Sequence, residues 1–309
     1  MVRFATIRLL RALLTMTLVV SFVFIVLRVS GDPAIAMVSD DASPQMIAAF
    51  RKAWGLDAPL WVQYLRYFAA ILHGDLGQSM RDGRDAVAVV AEHVPITLEL
   101  TVPALLLNLG IGIPAGIFAA LHRDSLLDRL VMTVAVAGFT VPSFVLGLLL
   151  SLVFAVKLGW LPTGGAVGPA SLVLPVATLG IGGAAVLARF TRSAMLEVLG
   201  QPYIRAGQAK GVPWRRVVTG HALPNAAIPT LTITGFMVGH LIAGAVLVEN
   251  VFTWPGIGRL LTVSVVSRDL AVVQCMLLFV TAAMVGANLV VDFLYGILDP
   301  RLRSARAAR

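Results

Sequence analysis

Charge is what this chain has least of. Only 13% of its 309 residues are Asp, Glu, Lys or Arg, about half the roughly 25% typical of soluble domains. Cysteine is nearly absent as well. Cys275 stands alone, so no intrachain disulfide can form, and within its apolar surroundings it reads as a small hydrophobe. Catalytic signatures are missing: there is no G-x-x-x-x-G-K-[ST] phosphate loop, no H-E-x-x-H and no G-x-S-x-G. The sequence therefore offers no catalytic residue, no metal set and no means of hydrolysing ATP. Short alternating strands, the mark of a membrane barrel, are lacking too.

What is present is apolar sequence in long blocks, 58% of the chain being hydrophobic. A block of about 20 apolar residues is the length that crosses a bilayer as a helix. Six spans are expected in an all-α membrane protein, at 9–29, 95–121, 130–157, 171–189, 228–249 and 271–298. The fourth has the weakest signal, diluted by Pro175, Gly180, Gly182 and Gly183. Pro103, Pro114 and Pro142 are expected to mark kinks or irregular, pore-lining backbone.

Cation placement sets the orientation. With both termini cytoplasmic, the inner segments hold Arg3, Arg8 and Arg11, then Arg123 and Arg129. The six cations from Arg189 to Arg216 and the four arginines from Arg301 onward follow, so most of the 24 Lys and Arg lie inside. The net charge of +8 is thereby explained without a nucleic-acid partner. Basic residues, an apolar run and Ala34-Ile35-Ala36 also resemble a cleavable signal, but that run is longer than a usual signal core. Residues 30–94 form the largest segment outside the spans. A helix over 58–73 would turn Trp61, Tyr64, Leu65 and Phe68 to one face. It suits either an interfacial helix or a scaffold that receives a substrate-delivering partner.

Many short motifs then fall in a familiar order. Gly31-Asp32-Pro33-Ala34, Gly55-Leu56-Asp57-Ala58-Pro59-Leu60, Gly74-Asp75-Leu76-Gly77-Gln78-Ser79 and Pro95-Ile96-Thr97-Leu98 occupy the first third. Val248-Glu249-Asn250-Val251-Phe252-Thr253-Trp254-Pro255-Gly256-Ile257-Gly258, Arg268-Asp269 and Asp299-Pro300-Arg301 follow. In this order they make the chain resemble the B-type permease subunit of the dipeptide/oligopeptide ABC importer family. Tyr203 to Gly211, then His221-Ala222-Leu223-Pro224, resemble that family's EAA loop. The departures are Arg205 in place of an acid, Gly207 in place of an alanine and His221 in place of an isoleucine.

The resemblance implies a cytoplasmic coupling loop over 190–227, whose helix at 203–211 enters a groove of an ATPase subunit. Tyr203, Arg205, Ala206, Gly207, Lys210, Gly211, Arg215, Arg216, Leu223 and Pro224 are its coupling residues. It further implies a second homologous permease, two ATPases carrying ATP and Mg, an extracytoplasmic binding protein, surrounding lipid, and no cofactor on this chain. Di- or oligopeptide uptake is the expected function, with nickel, glutathione, haem or another small solute as the alternative. An outer gate over 250–270 is expected to involve Glu249, Asn250, Phe252, Trp254, Pro255 and Gly256, although the same residues suit a plain turn. Asn108 and His240, polar within spans, are candidates for the path or for interhelical hydrogen bonds. The lack of a mid-membrane charged pair argues against an ATP-independent secondary transporter.

Overall fold

A computed structural model describes residues 2–37 and 43–298, and every regular element there is helical. The Asp299-Pro300-Arg301 motif and the arginines after it lie outside the described residues, as do Asp40, Asp41 and the side chains of Arg3, Arg8 and Asp292. In chain order the helices are α1 (Val2–Val29), α2 (Pro33–Met37), α3 (Pro44–Ala53), α4 (Leu60–Leu72) and α5 (Ala86–Leu107). After a π-helical turn at Asn108–Gly112 come α6 (Ile113–Leu121), α7 (Leu126–Thr140) and α8 (Ser143–Leu150), which continues as π-helix through Lys157. Then follow α9 (Pro169–Leu199), α10 (Pro202–Ala209) and α11 (Trp214–Val217). A third π-turn, Val218–Ala222, leads into α12 (Leu223–Val251), and α13 (Ile257–Val266) and α14 (Leu270–Leu298) complete the set.

Five stretches are long and apolar enough to cross a bilayer: Leu10–Val29, Ala86–Leu121, Pro169–Leu199, Trp214–Val251 and Leu270–Val290. The span expected at 130–157 is not one helix. It is α7 and α8 with its π continuation, bent by 101°. Proline disfavours helical geometry at the residue before it, and Val141 before Pro142 is extended, with ψ 121°. The coupling loop expected over 190–227, with a helix at 203–211, holds α10 at Pro202–Ala209 and further helix on both sides, because α9 runs on to Leu199 and helix resumes at Trp214. Hydropathy marks only the apolar part of a helix. Good helix formers such as Ala194, Met195, Leu196 and Glu197 carry α9 beyond it.

The chain forms two compact units. One draws on residues up to Thr97 and on Pro255–Val285. In it α4 lies against α1: Phe24 is buried, its ring 5.4 Å from Tyr64 and 5.8 Å from Tyr67, and Ser21 Oγ is 2.8 Å from Tyr64 OH. The residues expected on one face of α4 divide between packed and exposed. Tyr64, Tyr67 and Phe68 pack together, whereas Trp61 and Leu65 are exposed. Four of the short motifs meet in this unit. Asp269 is buried and accepts from Ser79 Oγ (2.5 Å) and Met80 N–H (3.1 Å), while Arg268 Nη2 donates to Ser30 O (3.1 Å). Ile257 N–H, an orphan donor of the first turn of α13, donates to Thr97 Oγ1 at 2.8 Å.

The other unit comprises Leu98–Trp254 and the chain from Gly286 on. Its axis is α9, whose buried positions include the small residues Gly180, Ala184, Ala185 and Ala188. A Cβ at Gly112 would lie 2.8 Å from Ala184 O, and one at Gly116 2.5 Å from Ala188 O. The Gly112-x-x-x-Gly116 pair thus lets α6 approach the backbone of α9, as small-residue pairs do between membrane helices. Arg192 of α9 donates from Nε and Nη2 to both oxygens of Asp128 on α7. Asp128 also accepts from Asp124 N–H, and its own N–H is capped by Ser125 Oγ.

Candidate functional site

The segment between α9 and α12 is held from inside and open outside. Ile204 of α10 is buried with Ala194, Met195, Val217, Val218 and Ala222, and Val212 and Leu223 pack on the same cluster. Full burial of an isoleucine side chain stabilises by about 1.5–3 kcal/mol, so α10 is fastened to the end of α9 chiefly through Ile204. The helix stops at Gly211. With φ 77°, Gly211 N–H donates to Gln208 O and Val212 N–H to Gly207 O, at 2.9 and 3.2 Å. That is a Schellman stop, in which glycine takes the left-handed position at no steric cost. Pro213 then prevents the helix from continuing.

The outer side carries the coupling candidates. Tyr203, Arg205, Ala206, Lys210, Gly211, Arg215, Arg216 and Pro224 are exposed, whereas Gly207 and Leu223 are partly covered. Trp214 and His221 are exposed beside them. Among the described residues none of Arg205, Lys210, Arg215 and Arg216 pairs with an acid. Four unneutralised cations beside two exposed aromatics form a surface suited to an acidic, grooved protein partner.

A second feature lies within the same unit. Parts of α7, α8, α9 and α12 and the first π-turn line a half-open pocket of about 540 Å³. Asn108 and His240, far apart in sequence, both line it. Asn108 is fully buried, and neither its Oδ1 nor its Nδ2 has a partner among the described residues. Its amide fits because residue 183 is glycine: a Cβ there would sit 2.3 Å from Asn108 Nδ2. Phe139 and Phe190 form part of the wall, and the Arg189 guanidinium stands 5.1 and 5.6 Å from their ring centres.

The gate candidates are elsewhere. Glu249, Phe252 and Trp254 are buried, Asn250 Nδ2 donates to Val246 O (2.7 Å), and none of them lines the pocket. They form the stop of α12. Trp254 N–H donates to Glu249 O (2.8 Å) with Thr253 in the left-handed region at φ 50°. Phe252 O accepts from Gly165 N–H at 2.8 Å, and a Cβ at Gly164 would lie only 2.4 Å from that oxygen. Pro255 and Gly256 lead from this turn into α13. Neither the close approach of α6 to α9 nor the Asp128–Arg192 bridge is expected from the sequence. Only the Gly-x-x-x-Gly spacing left a visible signal there.

Apolar helices of spanning length, with a fastened basic helix and turn between two of them, define a membrane permease component. The chain belongs to the family of binding-protein-dependent transport system inner membrane components: residues 112–304 match that family, and residues 1–101 match its N-terminal counterpart. It is 43% identical over 297 residues to the glutathione transport system permease protein GsiC of Salmonella paratyphi A, covering 96% of this chain and 97% of the relative. The GsiC of Escherichia coli K12 is 42% identical over the same length. In fold the chain is similar to the MetNI methionine ABC transporter in an inward-facing conformation, at 20% identity and a TM-score of 0.58. That match spans 68% of this chain and 96% of the other. The protein is thus a multi-pass inner-membrane permease subunit of an ABC importer.

Proposed function

We propose that this subunit forms half of the membrane path of an importer for glutathione or a closely similar small peptide. The observation that carries the cargo is the 43% identity to glutathione permeases along 96% of the chain. It favours the glutathione alternative over general di- and oligopeptide uptake. In this reading both termini are cytoplasmic, and the 203–224 surface faces the cytoplasm. Two ATPase subunits holding ATP and Mg dock there, an extracytoplasmic binding protein delivers the cargo, and a second permease completes the path.

Coupling follows from the geometry of the docked segment. Force on α10 reaches α9 through Ile204 and Met195, and α12 through Val217 and Ala222. Both helices also wall the pocket. ATP binding closes the ATPases and favours one arrangement of these helices over the other, which is all that a ligand-driven switch requires. The test is deletion of the gene in its own host, followed by uptake of ³⁵S-glutathione and of a labelled dipeptide. Loss of glutathione uptake alone, restored by the gene in trans, supports the reading. Intact glutathione uptake with lost dipeptide uptake would return the assignment to peptides.

A further inference from the structure

We propose that the Asn108 carboxamide reads the peptide backbone of the cargo, so that this subunit selects solutes by a neutral N–H and C=O rather than by charge. The inference rests on the transport reading above and adds which groups of the solute are recognised. Asn108 is completely buried, and neither its Oδ1 nor its Nδ2 has a partner among the described residues or lies open to water. Native structures leave few buried amides in that condition, because each such atom has given up water with nothing in exchange. Asn108 also opens the π-turn Asn108–Gly112, and π-turns recur at functional sites. Its amide sits against Gly183, where a Cβ would lie 2.3 Å from Nδ2 and 2.7 Å from Oδ1. Asn108, Gly182 and Gly183 all line the pocket. At those two glycines α9 presents no side chain that bonds the amide or screens it from a solute.

The rest of the lining decides what the amide meets. No Asp, Glu, Lys or Arg lines the pocket. Besides Asn108 its polar side chains are Ser143, Thr178 and His240, and the Thr178 hydroxyl already donates to Leu174 O at 2.7 Å. Phe139, Phe190 and Phe236 contribute apolar wall. Apart from His240, nothing there can carry a charge, so recognition falls to neutral hydrogen-bonding groups. A carboxamide offers an acceptor oxygen and two N–H donors. The N–H and C=O of one extended residue point to the same side, so a carboxamide can accept from the first and donate to the second. Putting an ester oxygen in place of that N–H removes the donor and leaves Oδ1 unmet. The volume of about 540 Å³ lies within the roughly 300–1,000 Å³ of small-ligand sites, which suits a small peptide.

The experiment uses the assembled transporter in nanodiscs, with Cys275→Ala and Phe236→Cys in this chain. Phe236 lines the pocket and is largely exposed, so its replacement reports occupancy through its rate of maleimide labelling. The probes are S-methylglutathione, which cannot itself consume maleimide, tri-alanine, and tri-alanine with an ester oxygen in place of its first peptide N–H. Both peptides should protect, and the ester should need about tenfold more, the loss of one hydrogen bond with its acceptor left unmet. Asn108→Leu should abolish the difference between peptide and ester. The same variant should match or exceed the parent's Tm, since it replaces an unbonded amide by an apolar group. A lowered Tm, with peptide and ester weakened alike, would mark Asn108 as part of the fold and overturn the proposal. The comparison of peptide with ester needs no change at Asn108, so it decides the matter even where that variant fails to assemble. Equal protection by the two, or no protection by any probe, would overturn the site even where uptake is normal. Preference for tri-alanine over its ester, with no protection by S-methylglutathione, would uphold the site and count against the glutathione assignment instead.

Discussion

Arg192 grips Asp128 with two hydrogen bonds of 2.6 Å, one to each carboxylate oxygen, across 64 residues of sequence. The carboxylate is 4% exposed and the guanidinium 23%. The pair ties α7, which reaches the pocket through Phe139, to α9, which leads into α10. Buried ion pairs add little net stability over an apolar substitute, but removing one partner strands a charge and costs about 3–5 kcal/mol. Asp128→Ala should therefore lower the Tm of the purified complex sharply. The double change Asp128→Leu with Arg192→Met should recover most of that loss. A single variant as stable as the parent would remove the bridge from the account.

Gly211 has room for a side chain, since nothing lies within 4 Å of an added Cβ. Its φ of 77° is the obstacle. Gly211→Ala should cost about 1 kcal/mol or somewhat more and leave uptake reduced but present. Gly211→Asp adds charge on the proposed docking surface, and should separate ATP hydrolysis from uptake at normal expression. Both are read by measuring ATPase activity and solute uptake on the same proteoliposomes.

Gly116 differs, because space rather than its own backbone conformation limits it. A Cβ 2.5 Å from Ala188 O and 2.6 Å from Thr191 Cβ cannot be housed without moving α6. Gly116→Leu should destabilise by about 1–3 kcal/mol or more, as overpacking does. Gly110, where an added Cβ meets nothing, should tolerate alanine without this loss. Thermal unfolding in detergent distinguishes the two positions.

Asp269 holds the 79–80 turn through Ser79 Oγ and Met80 N–H. Asp269→Ala leaves buried donors unmet at about 1–3 kcal/mol. Limited proteolysis should then cut the chain near residues 79–85 at a rate the parent does not show. Uncut chain under the same conditions would mean that other contacts hold the turn.

The sequence exposed the features that obey simple periodicity or bias. A helix expected over 58–73 spans Leu60–Leu72, and Pro142 interrupts its span as a proline should. Gly211 ends its helix for the reason glycine usually does. Hidden features depend on partners distant in the chain. Asn108 and His240 meet in one pocket only because α9 packs against both of their helices. Thr253 and Arg268 occupy left-handed stops, which side-chain sterics disfavour and which sequence therefore conceals. On α4, Tyr64 and Phe68 are packed while Trp61 and Leu65 are exposed, a division that helical spacing alone does not show.

ATP-dependent entry of labelled glutathione into proteoliposomes tests the central claim most directly. The vesicles would carry this chain with its partner permease and ATPases, and the binding protein would be added from the side opposite the ATPases. The account predicts accumulation that needs both ATP and the binding protein and that fails with Gly211→Asp while ATP is still hydrolysed. Accumulation by this chain alone, without ATP, would contradict it.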